Sequence, residues 1–230
     1  MPQSPANAYL WKCWKYIAQY PRPDLLIVNG DLLDGEAPLD RGRTVKSPDL
    51  EIQMAAACEI LRPVVAKTTW WLVKGTAYHE TVTDAIGAVL GAKEWDGGGR
   101  SGQILDLRIR GFNINCSHHP EGGTGAIYKG TIMDRTILWA TVGTVVSGLP
   151  RYDVIIRSHW HFFGNFQANG KTVTHVPCFQ LQTPYAAKQA FFRFQPQIGF
   201  VDFLFDENED YPTVVPVLFP LPERRLVDAG

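Results

Sequence analysis

The sequence predicts an α/β fold in which parallel strands alternate with helices and give way to a β-rich C-terminal part. Three observations carry this expectation. Short continuous apolar runs at Leu25–Val28, Thr69–Val73 and Asp153–Ile156 have the length and composition of strands buried on both faces. The stretches between them repeat apolar residues at i, i+3 and i+4, the spacing of one helix face. Beyond residue 100, turn dipeptides separate short β-rich runs, as in hairpins.

Each element has a local reason. Ser4-Pro5 reads as an N-cap followed by proline at the first helical position. Leu10, Cys13, Trp14 and Ile17 then form one helical face, and Pro21 and Pro23 end it. The strand Leu25–Val28 stops at Asn29-Gly30-Asp31, and residues 35–47 are a polar loop. Ser47-Pro48-Asp49 opens a second helix carried by Ile52, Ala55, Ala56, Ile60 and Leu61. The strand Thr69–Val73 ends at Gly75, and a third helix is expected from about His79 to Leu90. Ile104–Ile109 and Phe112–Cys116 flank Arg110-Gly111 as a hairpin. A long helix is expected from about Ile127 to Val146, and Asn169-Gly170 is a two-residue hairpin turn. Phe200–Phe205 and Val214–Leu218 read as the final strands.

The bulk properties exclude several classes. At 230 residues the chain is long enough for one domain with a sizeable core, and the expected division is a single domain over residues 1–230. The net charge of −1 gives no basic surplus for a nucleic-acid or anionic-membrane partner. Cys13, Cys58, Cys116 and Cys178 are widely spaced, which argues against a zinc ribbon or a disulfide framework and for reduced thiols. No apolar run reaches membrane-spanning length, and MPQSPANAY lacks the basic and apolar regions of a signal peptide, so the expected location is cytoplasmic. There is no G-x-S-x-G and no G-K-[ST] phosphate loop.

The chemistry lies at the strand ends. The first strand runs into Gly30-Asp31-Leu-Leu-Asp34, the second into Gly75-Thr76-Ala-Tyr-His79-Glu80. Phe112–Cys116 is followed by His118-His119, and the strand at 153–156 by Ser158-His159-Trp-His161. Ligands of open α/β sheets bind beyond the carboxyl ends of strands, and of the six histidines only His175 lies outside these segments. Imidazole and carboxylate together suit zinc, manganese or iron, and a pair of such ions can polarise a phosphoryl oxygen and activate water. Each piece alone has a plainer reading. Asp31 is a common turn residue, His159 and His161 can be core histidines, and His79-Glu80 can be an acidic helix start.

Taken in order, these segments resemble the calcineurin-like metallophosphoesterase family, in particular its small phage and prophage members. The family pattern is D-x-H, G-D-x-x-[DE], G-N-H-[DE], a strand-end histidine and G-H-x-H; the last four have counterparts here between Gly30 and His161. The resemblance implies a sandwich of two mixed β-sheets flanked by helices, and a phosphomonoesterase or phosphodiesterase, nuclease-like in one version, working with two divalent ions (Mn, Zn, Fe or Ni). It implies that Asp31 bridges the ions, that His118 and His159 bind one and His161 the other, and that His79 assists the leaving group. His119 is the alternative to His118, Thr76 stands where the family has a ligating asparagine, and Asp34 closes the second motif. The D-x-H motif has no counterpart, because nothing before Asp24 contains an aspartate or a histidine. That departure implies a missing first strand, an N-terminally truncated chain, unpaired strand edges, and a centre that keeps only one ion in the alternative case. Ser158 replaces a family glycine. The alternative function is a catalytically inactive or mononuclear scaffold that binds protein or nucleic acid, the latter through Lys46, Arg62, Lys67, Arg100, Arg108 and Arg110; the plainer reading of these six is solvated surface. The expected partners are a phosphoester substrate, including a nucleotide or nucleic acid, and no membrane.

Overall fold

A computed structural model of the chain describes residues 5–35, 47–121, 129–183 and 195–222. Helix α1 (Pro5–Gln19), strand β1 (Leu25–Asn29), helix α2 (Leu50–Val65) and strand β2 (Thr69–Val73) alternate as the periodicity requires. The α2 start is set by Asp49, whose carboxylate accepts the amides of Glu51 and Ile52 at 2.8 and 3.3 Å. The Ser4 cap lies outside the described residues.

The third helix differs from expectation. A 3-10 turn (Ala77–His79) comes first, and α3 runs only from Thr83 to Leu90. The reason is local: the Glu80 carboxylate accepts the amides of Gly75 and Asp31 at 2.7 and 3.0 Å. It cannot also serve a helix start, so residues 75–82 fold back as tight turns.

Strands β3 (Ile104–Ile109) and β4 (Phe112–Ser117) form the predicted hairpin, with Arg110 and Gly111 both at positive φ. Helix α4 (Lys129–Ser147) follows; its expected start at Ile127 lies outside the described residues. Strand β5 (Val154–Arg157) leads to β6 (Gly164–Ala168) and β7 (Lys171–His175), joined by left-handed Asn169 and Gly170. Strands β8 (Ile198–Leu204) and β9 (Thr213–Phe219) close the described chain.

The fold is α/β, with a mixed sheet and flanking helices. Its strands do not form two large mixed sheets among the described residues. One five-stranded mixed sheet has the order β3-β4-β5-β7-β6, while β1-β2 and β8-β9 are two-stranded ribbons. Among the described residues β1 has no ladder partner opposite β2, and the far edge of β8 is met only at its start, by the bridge from Cys178 to Ile198. A single parallel bridge, Val73 to Gly102, ties the β2 end to the chain entering β3.

Two cores sit on either side of β1. Leu26 and Val28 pack with Leu61, Val65 and Ile86 under the helices, and Ile27 packs with Ile114, Cys116 and Ile156 on the large sheet. Yet every β1 residue is only half-buried, whereas all of β5 and β7 is buried. The sequence reading of Leu25–Val28 as fully buried is thereby corrected: both faces are covered, but one edge has no ladder partner among the described residues. All four cysteines are free, and no helix among the described residues is long and apolar enough to cross a membrane.

Candidate metal centre

The site is built where β1, β2, β4 and β5 end. Strands β1 and β2 are parallel neighbours, as are β4 and β5, so each pair delivers two following turns to one end. Two contacts stitch the pairs together: Asn29 Nδ2 donates to the Ser117 carbonyl at 3.2 Å, and His118 Nδ1 meets the Asn29 carbonyl at 3.0 Å. The Ser158 amide donates to the His118 carbonyl at 2.9 Å and fixes the His159 turn against β4.

These bonds decide the state of His118. A carbonyl only accepts, so Nδ1 carries a proton, and Nε2 becomes the ligating nitrogen once a cation displaces the proton it shares with Asp31. That Nε2 lies 3.0 Å from Asp31 Oδ2 and 3.2 Å from His159 Nδ1. Ligand atoms about 2.1 Å from a tetrahedral zinc stand roughly 3.4 Å apart. The observed spacings match that, and imidazole with carboxylate is a suitable donor set for such an ion. His119 belongs to the same group, since its ring nitrogen, that of His118 and that of His159 can all lie within 4.8 Å of one another. Where the sequence offers His118 or His119, the fold brings both.

Charge follows geometry. Burial alone would raise the Asp31 pKa, but the hydrogen bond and charge of His118, the Thr76 amide and His79 hold it well below the usual carboxylate range. His118 moves the other way: burial lowers it, and Asp31 together with the Asn29 carbonyl more than offsets this and raises it. His159 is depressed to about 4 by burial and by the neighbouring His118 and His119. His119 and His161 are also lowered, first by burial. The site therefore holds an ionised carboxylate against His118, whose protonated form Asp31 favours, beside His119, His159 and His161, whose neutral forms are favoured; a cation binds by displacing the His118 proton.

Close approach demands glycine at two points. A Cβ on Gly30, itself at φ +77°, would lie 2.1 Å from His118 Nδ1. A Cβ on Gly75 would lie 2.3 Å from Asp31 Oδ1. Three site residues take the left-handed region without being glycine: Asp31 (φ +50°), His159 (φ +66°) and His161 (φ +55°).

The other predicted residues occupy defined places. Thr76 is a partner of Asp31: its amide donates to Oδ1 at 2.6 Å and its hydroxyl to Oδ2 at 3.4 Å. His161 lies on the Asp31 side, within electrostatic reach of Asp31, His118 and His79, but outside the three-histidine group. His79 packs on Tyr78 with ring centroids 4.0 Å apart, and its buried Nδ1 has no hydrogen-bond partner. Asp34 is exposed, accepts Gln180 Nε2 at 3.4 Å and is not part of the three-histidine group. Glu80 is the residue that sequence reasoning missed. One oxygen clamps the Asp31 and Gly75 turns, and its buried Oε2 is without a partner. Of the six basic residues, Lys46 lies outside the described residues. The rest are spread over α2 and its following turn, the loop before β3, and the β3–β4 hairpin, and Arg100 is engaged with Glu94 at 3.4 Å.

Comparison with solved structures finds matches over most of the chain. Vps29 from Entamoeba histolytica, complexed with Zn2+, aligns over 96% of this chain and 94% of its own, at 14% identity and a TM-score of 0.45. A novel archaeal phosphodiesterase aligns over 91% and 92%, at 11% identity and a TM-score of 0.47. Chaetomium thermophilum Vps29 aligns over 90% and 85%, at 12% identity and a TM-score of 0.45. These are likenesses of outline, too distant to assign an activity. No protein-family model and no curated protein sequence matches the chain.

Proposed function

We propose that the chain is a metal-dependent phosphoester hydrolase whose centre is His118, His119, His159 and Asp31. The observation that carries this is the meeting of His118 Nε2 with Asp31 Oδ2 at 3.0 Å and His159 Nδ1 at 3.2 Å, from the ends of three different strands. A bound divalent ion supplies polarisation of a phosphoryl oxygen and a water of lowered pKa. The chain's own residues do the rest. Asp31, kept ionised, balances the charge, and the Asn29 carbonyl orients His118. Glu80 holds the Asp31 turn, and His79, with a buried and unpartnered Nδ1, is the group available to pass a proton toward a leaving oxygen. On the two-ion version, Asp31 and His161 would hold the second ion. Substrates are phosphomonoesters or phosphodiesters, including nucleotides and nucleic acids.

A second reading, a mononuclear or inert binding scaffold, has one observation in its favour: the described residues gather one three-histidine ligand group, and both Asp31 and His161 lie outside it. The test is elemental analysis together with hydrolysis of p-nitrophenyl phosphate and bis(p-nitrophenyl) phosphate under Mn, Zn and Ni. The expected result is one to two ions per chain and a turnover that falls by about two orders of magnitude in Asp31→Asn and His159→Ala. Bound ion without hydrolysis of either ester supports the mononuclear scaffold instead, and no bound ion sinks the hydrolase and leaves the inert scaffold.

A further inference from the structure

We infer that α4 is the interface of a two-fold dimer of this chain, pairing antiparallel with the same helix of a second copy. Met133 and Ile137 of α4 pack on Ile155 and Val173 of the large sheet, so the opposite side of the helix faces away from it. On that outer side the first half is polar, with Thr131, Asp134 and Arg135 exposed. The second half is apolar. Leu138 is 57% exposed, Trp139 53%, Val145 79%, Val146 76% and, just past the helix, Leu149 51%. Leu138, Val142 and Val145 stand at i, i+4 and i+7, and Trp139, Val142 and Val146 at i, i+3 and i+7, so they share one stripe.

Local bonding leaves this half with little to offer water. The Thr141 and Thr144 hydroxyls donate to the Ile137 and Ala140 carbonyls of their own helix at 2.8 and 3.0 Å. Gly148, at φ +66°, turns the chain back, and the Leu149 amide donates to the Gly143 carbonyl at 3.2 Å. The Leu149 side chain then covers Gly143, where an added Cβ would lie 3.0 Å from its Cδ1. From Thr136 to Pro150 the chain carries no ionisable side chain. With exposed side-chain areas of about 150–250 Å² scaled by the fractions above, the stripe presents about 500 Å², at the upper end for a monomer.

Area, charge and symmetry choose the occupant. Two copies face to face bury about 1,000 Å², the area a specific pair needs. A foreign protein is selected by complementary charge, which the stripe does not carry. An anionic bilayer needs a basic border, and here Arg135 is offset by Asp134 and Arg151 by Asp153, at 3.8 Å. A second copy needs only that the stripe match itself. Turned antiparallel about a two-fold axis between Val142 and Val145, it does: Leu138 meets Leu149 of the partner subunit, and Asp134 and Arg135 project past the partner helix into water. Parallel pairing would set each of these charges against its own like.

The experiment is sedimentation equilibrium on the 230-residue chain. The expected result at about 100 µM is a dimer of twice 25.7 kDa. Val145→Lys adds a charge near the axis, on a side chain that the single chain leaves exposed, so the fold stands while the dimer weakens by about 100-fold or more. Val145→Glu is expected to do the same. Mixing the two variants is expected to restore a dimer, because the two side chains meet near the axis; failure to do so overturns the antiparallel pairing. A wild-type monomer at that concentration overturns the proposal, and its pelleting with phosphatidylglycerol vesicles would make the stripe a membrane contact. A dimer unchanged by Val145→Lys overturns it too, since another surface then pairs. No outcome bears on the metal centre, whose cleft takes only Lys129 from α4.

Discussion

The candidate centre depends on side chains that touch no ligand. Glu80 is the clearest: one carboxylate oxygen holds the amides of both Asp31 and Gly75, so its loss frees the turn that aims Asp31 at His118. Glu80→Ala is expected to weaken ion binding by about 10- to 100-fold. Because Glu80 positions rather than ligates, Glu80→Gln keeps an accepting oxygen and is expected to recover most of that affinity, measured by competition with a chromophoric chelator. An equal loss in both variants would make Glu80 a ligand. Its role was not legible in the sequence, where an acid after histidine reads as a helix start; its bonds reach backbone amides 5 and 49 residues away. The histidines were legible, since they sit directly after apolar runs. What the run alone cannot show is that β4 brings in both His118 and His119.

At the scale of elements, the turn carrying His159 and His161 is anchored by the last residue of β5. Arg157 is buried and pairs with Glu121, while its Nη1 also donates to the Ile156 and Asn115 carbonyls at 2.9 and 3.3 Å. Thr136 of α4 donates to the other Glu121 oxygen at 3.1 Å, so one acid ties helix, strand and site turn together. Glu121→Ala leaves a buried guanidinium without its counter-charge. The expected cost is about 2 kcal/mol in urea unfolding, below the range for a fully buried pair because Glu121 is partly exposed. Unchanged stability would mean that water replaces the carboxylate. Helices and strands were readable from periodicity because their own side chains set it. The α3 start was not, because Glu80 is committed elsewhere. Nor was the division into one large sheet and two ribbons, because strand neighbours depend on edges that no local pattern encodes.

For the molecule as a whole, stability should depend on acid. His175 is fully buried, stacks on Phe162, and neither ring nitrogen has a partner. Burial, then the Arg157 charge, depresses it to about 4, with Glu121 opposing. Below about pH 6.5 the unfolded chain takes up this proton and the folded one does not, so stability falls with pH until about 4. The difference is about 3 kcal/mol at full extent. His159, also near 4, adds loss in the same window, whereas raised His118 acts in the opposite sense, contributing stability at low pH that is lost as pH climbs through its folded value. His175→Leu is expected to flatten the decline between pH 6.5 and 4 by that amount, measured by urea midpoints. A parallel decline in the variant would assign the acid sensitivity to other groups.

The left-handed turns at Asp31, His159 and His161 carry a cost of their own. Such a conformation costs an L-residue roughly 1–2 kcal/mol, less for Asp and its like, so the three together withhold about 3 kcal/mol from a fold whose whole margin is typically 5–15 kcal/mol. A cation that binds only the folded chain returns about 2.7 kcal/mol at a hundred times its dissociation constant. The two quantities are of one size. If the proposed centre holds its ion, ion supply sets how durable the molecule is, and a cell that runs short of the ion loses the folded protein itself.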